Sequence, residues 1–383
     1  MGDIMKESKK IPEIRFEGFE GEWEDNQFNN VAIYRNGRAH ENDIEERGKY
    51  IVVNSKFVST NGEVKKYSNK QNEPLYLGEI AFVLSDVPNG RAIARTFLVD
   101  ANNKYTLNQR IAAITPTEET DSYFLYILLN RNKYFLQFDD GAKQTNLSKV
   151  DVENFLSYYP SKPEQSQIGT FFQNLDQQIT LEQQKHDKLV TLKKAMLEKM
   201  FPKEGASVPE IRFEGFEGEW VKKRLEDFCS YHSSNLSYNS VIANGQYELY
   251  DANGVIGYSN DYFLDSDYIT IIKDGSGVGR VRLLPKNTSF IGTMGAFKVK
   301  DSDIRFLLCC LLITDFSKHV IGATIPHIYF SNYGKEEYFV PSIEEQSQIG
   351  SYFQNLDNLI SLQQQKIDKL KNIKKACLDK MFV

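Results

Sequence analysis

The sequence predicts an α+β chain built as a pseudo-twofold repeat: two similar lobes, mainly strands with short helices, separated by a pair of long antiparallel coiled-coil helices. Three observations carry that reading. PEIRFEGFEGEW occurs at 12–23 and again, letter for letter, at 209–220. A longer segment, 160–201, matches 341–382 at about two thirds of positions. Between these copies lie stretches rich in short β-branched and aromatic runs broken by turn residues.

Taken in order, residues 1–23 are a lead-in carrying the first short repeat, and 24–160 form the first lobe. Residues 161–202 are the first long helix, 203–220 a linker with the second short repeat, 221–341 the second lobe, and 342–383 the second long helix. The runs YIVVNS, LGEIAFVLS and RIAAIT read as strands of lobe one. YITIIKDG, GRVRLLP and SFIGTMGAFKV read as strands of lobe two, and each lobe has one short apolar helix, near 121–129 and 303–311. The lobes share little else except an ending, in which GAKQTNLS at 141–148 aligns without a gap on GATIPHIY at 322–329.

Helix is expected in the long repeat for several reasons. Ser161 with Glu164, and Ser342 with Glu345, have capping-box spacing. Apolar residues then recur at spacings of four and three: Ile168, Phe172, Leu175, Ile179, Leu189, Met196 and Met200 in the first copy. The second copy has Ile349, Phe353, Leu356, Ile360, Ile367, Leu370, Cys377 and Met381. That is a heptad seam, and Pro202 stops the first copy. Two near-identical seams in one chain are best satisfied by each other, antiparallel, as in a dumbbell; the alternative is that each packs on its own lobe or on another molecule. Glu182, His186, Lys193, Gln363 and Lys374 fall on seam positions, where polar groups fix register at a cost in stability.

At 383 residues the chain exceeds one ordinary domain, and 41% apolar with 13% aromatic residues is enough to fill real cores. The polar first ten residues contain no leader-like apolar stretch. Phe306–Ile313, the most apolar run, is too short to cross a bilayer. A cytoplasmic, membrane-free protein is expected. Cys229, Cys309, Cys310 and Cys377 lack metal-ligand spacing, so neither zinc nor disulfides are expected. The net charge is −6 and each lobe is near neutral by its own residues, which argues against an autonomous nucleic-acid binder.

The enzyme classes that would be read from motifs are missing. None of the eleven prolines is adjacent to another, which removes the D/N-P-P-F/Y loop of an amino-methyltransferase. Gly275-Ser-Gly-Val-Gly279 follows a strand but precedes RVRLLP, another strand, and so reads as a hairpin turn rather than a cofactor loop. No Walker A sequence occurs, and Glu63-Val-Lys65 stands without the upstream P-D of a nuclease core. No catalytic residue, metal or cofactor is expected on this chain.

The order of variable lobe, EQ-starting helix ending KKxxLxKMF, second lobe and second such helix resembles the specificity subunit of type I restriction–modification systems. The G-x-x-x-x-N-L-S ending of lobe one and the E-x-R-F-x-G-F lead-in strengthen the resemblance, which covers essentially the whole chain. It implies two target-recognition domains, each reading one half of a bipartite site on double-stranded DNA. It also implies two modification (methyltransferase) subunits as partners, with S-adenosylmethionine bound to them and not to this chain, and restriction subunits in the larger complex. Lobe two departs from the pattern, with Thr324-Ile-Pro-His-Ile where lobe one has Lys143-Gln-Thr-Asn-Leu.

Base edges are read by donors and acceptors on turn-borne side chains. In lobe one the candidates are Arg35, Arg38, Arg91, Arg95, Lys143, Gln144 and Asn146; in lobe two they are Lys273, Arg280, Arg282, Thr324 and His327. Each is individually more often a phosphate contact or a solvated group than a base reader. Two other functions compete: a coiled-coil scaffold whose lobes bind proteins, which the near-neutral lobes favour, and an enzyme with an unfamiliar site, which the missing motifs disfavour.

Overall fold

The computed structural model describes residues 10–88 and 90–383; the first nine residues of the lead-in and Asn89 lie outside the described residues. The chain divides into two compact units. One comprises the described residues up to Leu181 together with Ile367–Val383, the other Glu182–Lys366. The division differs from the expected one, in which the long helices stand apart as separate segments. It runs through each helix instead, because the ends of both helices are part of the lobe cores.

In the first unit, Ala32–Asn36, Ile111–Pro116, Ile80–Val83 and Thr96–Leu98 form a four-stranded antiparallel sheet in that spatial order. Tyr50–Val53 pairs antiparallel with Tyr67–Ser68 and parallel with Tyr105–Leu107 in a second sheet. Alternation along the central strands serves two cores. Ala81, Val83, Ile111 and Ala113 pack with Val53, Phe57 and Leu107 of the second sheet. Ile80, Phe82, Ala112 and Ile114 instead join Phe124 and Leu128 of the short helix Ser122–Leu129, and Ile168 and Phe172 of the first long helix. Strands buried on both faces read as continuous apolar runs, which is why IAFV and IAAI are visible in the sequence.

The second unit repeats this plan with unlike residues. Cys229–Ser233, Met294–Val299, Tyr268–Ile272 and Val281–Leu284 form its four-stranded sheet. Val255–Ser259, Tyr247–Tyr250 and Ser289–Phe290 form the smaller one, again with one parallel pair. Ile269, Ile271 and Phe297 share a core with Phe306 and Leu307 of the helix Ile304–Ile313 and with Ile349 and Phe353 of the second long helix. The Gly275–Gly279 segment is the expected hairpin between Tyr268–Ile272 and Val281–Leu284, and its three glycines take φ values of 83, 84 and 85° that side chains rarely adopt.

The long helices span Lys162–Lys199 and Ile343–Met381. In the first unit, Lys374 Nζ meets Asp176 at 2.5 and 2.7 Å. In the second, Lys193 Nζ meets Asp357 Oδ1 at 2.5 Å. Asp176 and Lys193 of one repeat correspond to Asp357 and Lys374 of the other, so both units show the same antiparallel register. Every expected seam residue is buried or half-buried. The N-terminal seam residues serve a lobe core as well as the facing helix, so packing on the partner helix is joined by packing on the helix's own lobe.

The start of each helix corrects one expectation. Glu345 N–H donates to Ser342 Oγ at 3.3 Å, but the carboxylates of Glu164 and Glu345 do not turn back to complete a capping box. Each is 1% exposed and receives a guanidinium from the short repeat: Arg15 on Glu164 at 2.8 and 2.7 Å, and Arg212 on Glu345 at 2.7 and 2.8 Å. The Gln-Ser-x-x-Gly that follows docks the short helix of each lobe. Gln165 Oε1 accepts from Asp121 N–H at 3.0 Å and Gln346 Oε1 from Asp303 N–H at 3.0 Å. Ser166 and Ser347 donate to the same aspartates, which cap helices 122–129 and 304–313. The chain end closes the first unit: Ile14 N–H donates to Lys380 carbonyl at 3.0 Å, and the Trp23 and Phe382 rings meet edge to face at 6.3 Å.

Candidate nucleic-acid interface

The shared ending of the lobes builds the same structure twice. In lobe one, Asp139 and Asp140 precede Gly141, and their carboxylates organise the turn. Asp139 Oδ1 accepts from Gly141 N–H at 3.1 Å and Thr145 Oγ1 at 2.9 Å; Asp140 Oδ1 accepts from Ala142 N–H at 2.9 Å and Lys143 N–H at 3.2 Å. Those backbone bonds hold the Asp140 carboxyl below its ordinary range. Thr145–Asn146 then pairs antiparallel with Ser85–Asp86, and Leu147 N–H donates to Leu84 carbonyl at 2.8 Å. Thr145 and Leu147 are buried, and Gln144 and Asn146, which alternate with them, are exposed.

Asp86 organises the facing loop. Its Oδ1 accepts from Val87 N–H at 2.8 Å, and its Oδ2 from Ala92 N–H at 2.5 Å and Ile93 N–H at 3.1 Å. Arg91 and Arg95 lie on this loop, with Arg95 Nε donating to Arg91 carbonyl at 2.7 Å. Gln144 Nε2 reaches Ser85 Oγ at 2.8 Å. The structure thus brings Arg91, Arg95, Lys143, Gln144 and Asn146 onto two adjoining, hydrogen-bonded segments, which is the rigidity a reading surface requires.

Lobe two reaches the same arrangement with a different sequence. Ile321 and His327 exchange both backbone bonds at 2.9 Å, closing a small hairpin with Gly322–Pro326 at its tip. Ile328 N–H donates to Lys273 carbonyl at 3.0 Å, as Leu147 does to Leu84. Gly275 N–H donates to Pro326 carbonyl at 2.9 Å, and the His327 ring bonds through Nδ1 to Asp274 Oδ1. Lys273, Thr324 and His327 therefore lie on adjoining segments, and the loop whose sequence departs from that of lobe one keeps the lobe-one position.

The remaining candidates lie elsewhere. Arg35 is tied by its terminal nitrogens to Glu73, Glu79 and Pro74 carbonyl, with Glu79 at 2.9 and 3.0 Å, so its charge is balanced by two buried carboxylates. Arg38 is exposed, with Nε 3.0 Å from Glu73. Arg280 and Arg282 both donate to Ala252 carbonyl, Arg282 at 2.7 Å, and so hold the 251–254 turn. The residues that sequence reasoning missed are Asp86, Asp139 and Asp274. A search for DNA contacts favours cations and amides and passes over the carboxylates that shape the loops, although Asp-Gly at 140–141 and 274–275 is a readable turn signal.

Comparison with known proteins follows these repeats. A sequence-family model described as the type I restriction modification DNA specificity domain matches residues 20–191 and again 217–372. Among solved structures, the S subunit of a type I restriction–modification system from M. genitalium superposes with a TM-score of 0.70 at 17% identity, covering 97% of this chain and 99% of that one. A chain solved in work on complex assembly and conformational transition of the type I R-M system gives 0.52 at 18% identity, covering 94% and 97%. At these identities the likeness speaks to the fold. Among the described residues no helix is long and apolar enough to cross a membrane.

Proposed function

Because this chain belongs to the type I restriction–modification DNA specificity family, with that family's domain present twice, we propose that each unit reads one half of a bipartite site on double-stranded DNA and that the chain brings partner subunits to it. The observation that carries this reading is the pair of equivalent loop clusters, around 85–95 with 143–147 and around 273–275 with 321–328, which share position and differ in side chains. A common frame with divergent tips is what two different half-sites require. The chemistry then belongs to partners: methyltransferase subunits that bind S-adenosylmethionine, and restriction subunits beyond them, in the cytoplasm. This chain is the non-catalytic member.

Two copies of the modification subunit fit the helix repeats. Leu181 and its counterpart Leu362, and Leu192 and its counterpart Ile373, are exposed large apolar residues at matching positions of near-identical helices, the kind of surface that identical partners would cover. The near-neutral lobes, which favour a protein scaffold, are equally expected of a DNA reader whose phosphate contacts come largely from its partners. Mapping methylated adenine and cytosine across the host genome, with and without this gene, tests the reading. A two-part motif should disappear with the gene, and an unchanged methylation profile would leave the scaffold reading in its place. Native mass measurement should find two modification subunits per chain.

A further inference from the structure

We propose that positions 144 and 146 in lobe one, and the equivalent 325 and 327 in lobe two, are the base-reading pair of each unit, and that Ile325 makes the lobe-two half-site depend on a thymine methyl group. This rests on the reading that each unit contacts a half-site. The equivalence is structural: Asn146 lies opposite Ser85 as His327 lies opposite Asp274, with the next residue of each loop bonded back to Leu84 and Lys273. Residues two apart on an extended segment share a face. In lobe one that face carries Gln144 and Asn146, with Gln144 Nε2 3.3 Å from Asn146 Oδ1. Two amides in register suit adenine, whose N6 donor and N7 acceptor an amide meets with both its groups.

In lobe two the equivalent positions carry an aliphatic group, on the bend at the loop tip, and an imidazole on the bridged residue that follows. Ile325 is 66% exposed at the tip of a hairpin that is closed on both sides by backbone bonds. Gly322 sits at φ 86°, and a Cβ there would come within 2.6 Å of Ile325 carbonyl, so the tip is tightly folded and the isoleucine is held out from it. No polar reading is open to this side chain. In the major groove its one sequence-dependent partner is the C5-methyl group of thymine. Beside it, the Asp274 carboxylate faces His327 Nδ1 and orients the ring. Nε2 is thereby the ring nitrogen left to meet a base edge.

The test uses the full chain assembled with its modification subunits and the motif mapped for the wild type. Q144A and N146A should relax letters in one half-site only, and I325A and H327A letters in the other only. On duplexes in which each thymine of the lobe-two half-site is replaced by deoxyuridine in turn, one replacement should weaken wild-type binding about fourfold, the worth of one buried methyl. I325A should bind the two duplexes alike. The proposal is overturned if all four variants keep the wild-type letters, if the lobe-two half-site contains no thymine, or if no deoxyuridine replacement matters. A variant that stops methylation altogether is read by competition binding: loss confined to cognate DNA supports a reading role, and equal loss on unrelated DNA assigns a phosphate contact and overturns it. Absence of any two-part motif in the wild type would instead refute the parent reading, before any variant is made.

Discussion

Arg15 and Glu164, 149 positions apart in sequence, meet in a two-point contact at 2.8 and 2.7 Å, and Arg212 and Glu345 repeat it in the second unit. The same guanidinium also holds its own turn, since Arg15 donates to Gly21 carbonyl at 2.5 Å and Glu20 carbonyl at 3.1 Å. One arginine thus folds the short repeat and latches it to the first turn of a long helix. Acidic residues near a helix N-terminus are favoured there in any case, and the fork makes this one specific.

Removing one member of such a pair leaves a buried charge uncompensated. Glu164→Ala and Arg15→Ala are each expected to destabilise the first unit by about 3 kcal/mol, with the double variant costing much less than their sum. Glu345 and Arg212 should behave alike in the second unit. Urea denaturation of the four single and two double variants checks this; additive losses would show that the pairs do not act as latches.

Gly169 and Gly350 are the helix positions where a side chain will not fit. A Cβ at either would come within 2.5 Å of Oδ1 of Asp121 or Asp303, the atoms that cap the short helices. Alanine normally favours a helix over glycine by about 1 kcal/mol. Here Gly169→Ala and Gly350→Ala should reverse that sign and lower the melting temperature. An increase would mean that the capped helix can move away at no cost.

The sequence showed the repeats, the heptad seams and the central strands, because each is a local pattern. It did not show what the EQ motif does. The spacing of Ser161 and Glu164 matched a capping box, while the partner that wins, Arg15, lies in another part of the chain. Arg35 was unreadable for the same reason: Glu73 and Glu79, which neutralise it, are 38 and 44 residues away. The identity of the two lobe topologies was hidden because strand pairing tolerates unlike apolar residues. The loop alignment of 141–148 on 322–329 survived because its positions follow from the helix that comes after it.

Glu182 is a buried carboxylate on the helix seam, 7% exposed. Gln363 Nε2, Lys366 Nζ at 2.9 Å and Lys185 Nζ at 3.0 Å all donate to it, and they hold its pKa down to about 2 from 4.5. A carboxyl whose folded pKa is depressed stabilises above its unfolded value and loses that contribution as pH falls through the folded value. The second unit should therefore weaken between about pH 4.5 and 2. Glu182→Gln should be less stable at neutral pH and flatter across that window. An acid limb with the wild-type slope would place the sensitivity in other carboxylates.

The last prediction concerns how each lobe is joined to its frame. Glu24–Gln27 pairs antiparallel with Leu156–Tyr159, and Val221–Arg224 pairs with Glu337–Val340. Each lobe thus enters and leaves through one two-stranded ribbon, so its two ends are neighbours and the rest can be exchanged without moving the frame. That is the geometry in which domain insertion succeeds, because few contacts other than those of the ribbon must be rebuilt. Replacing Val221–Val340 with the corresponding segment of a relative, and keeping Trp220 and the helix from Ile343 onward, should leave the protein folded and bound to its modification subunits. The methylated motif should change its letters in one half only, with the other half and the gap held. Letters changing in both halves would show that the two lobes share in reading a single site, and the assignment of one half-site to each unit would be wrong.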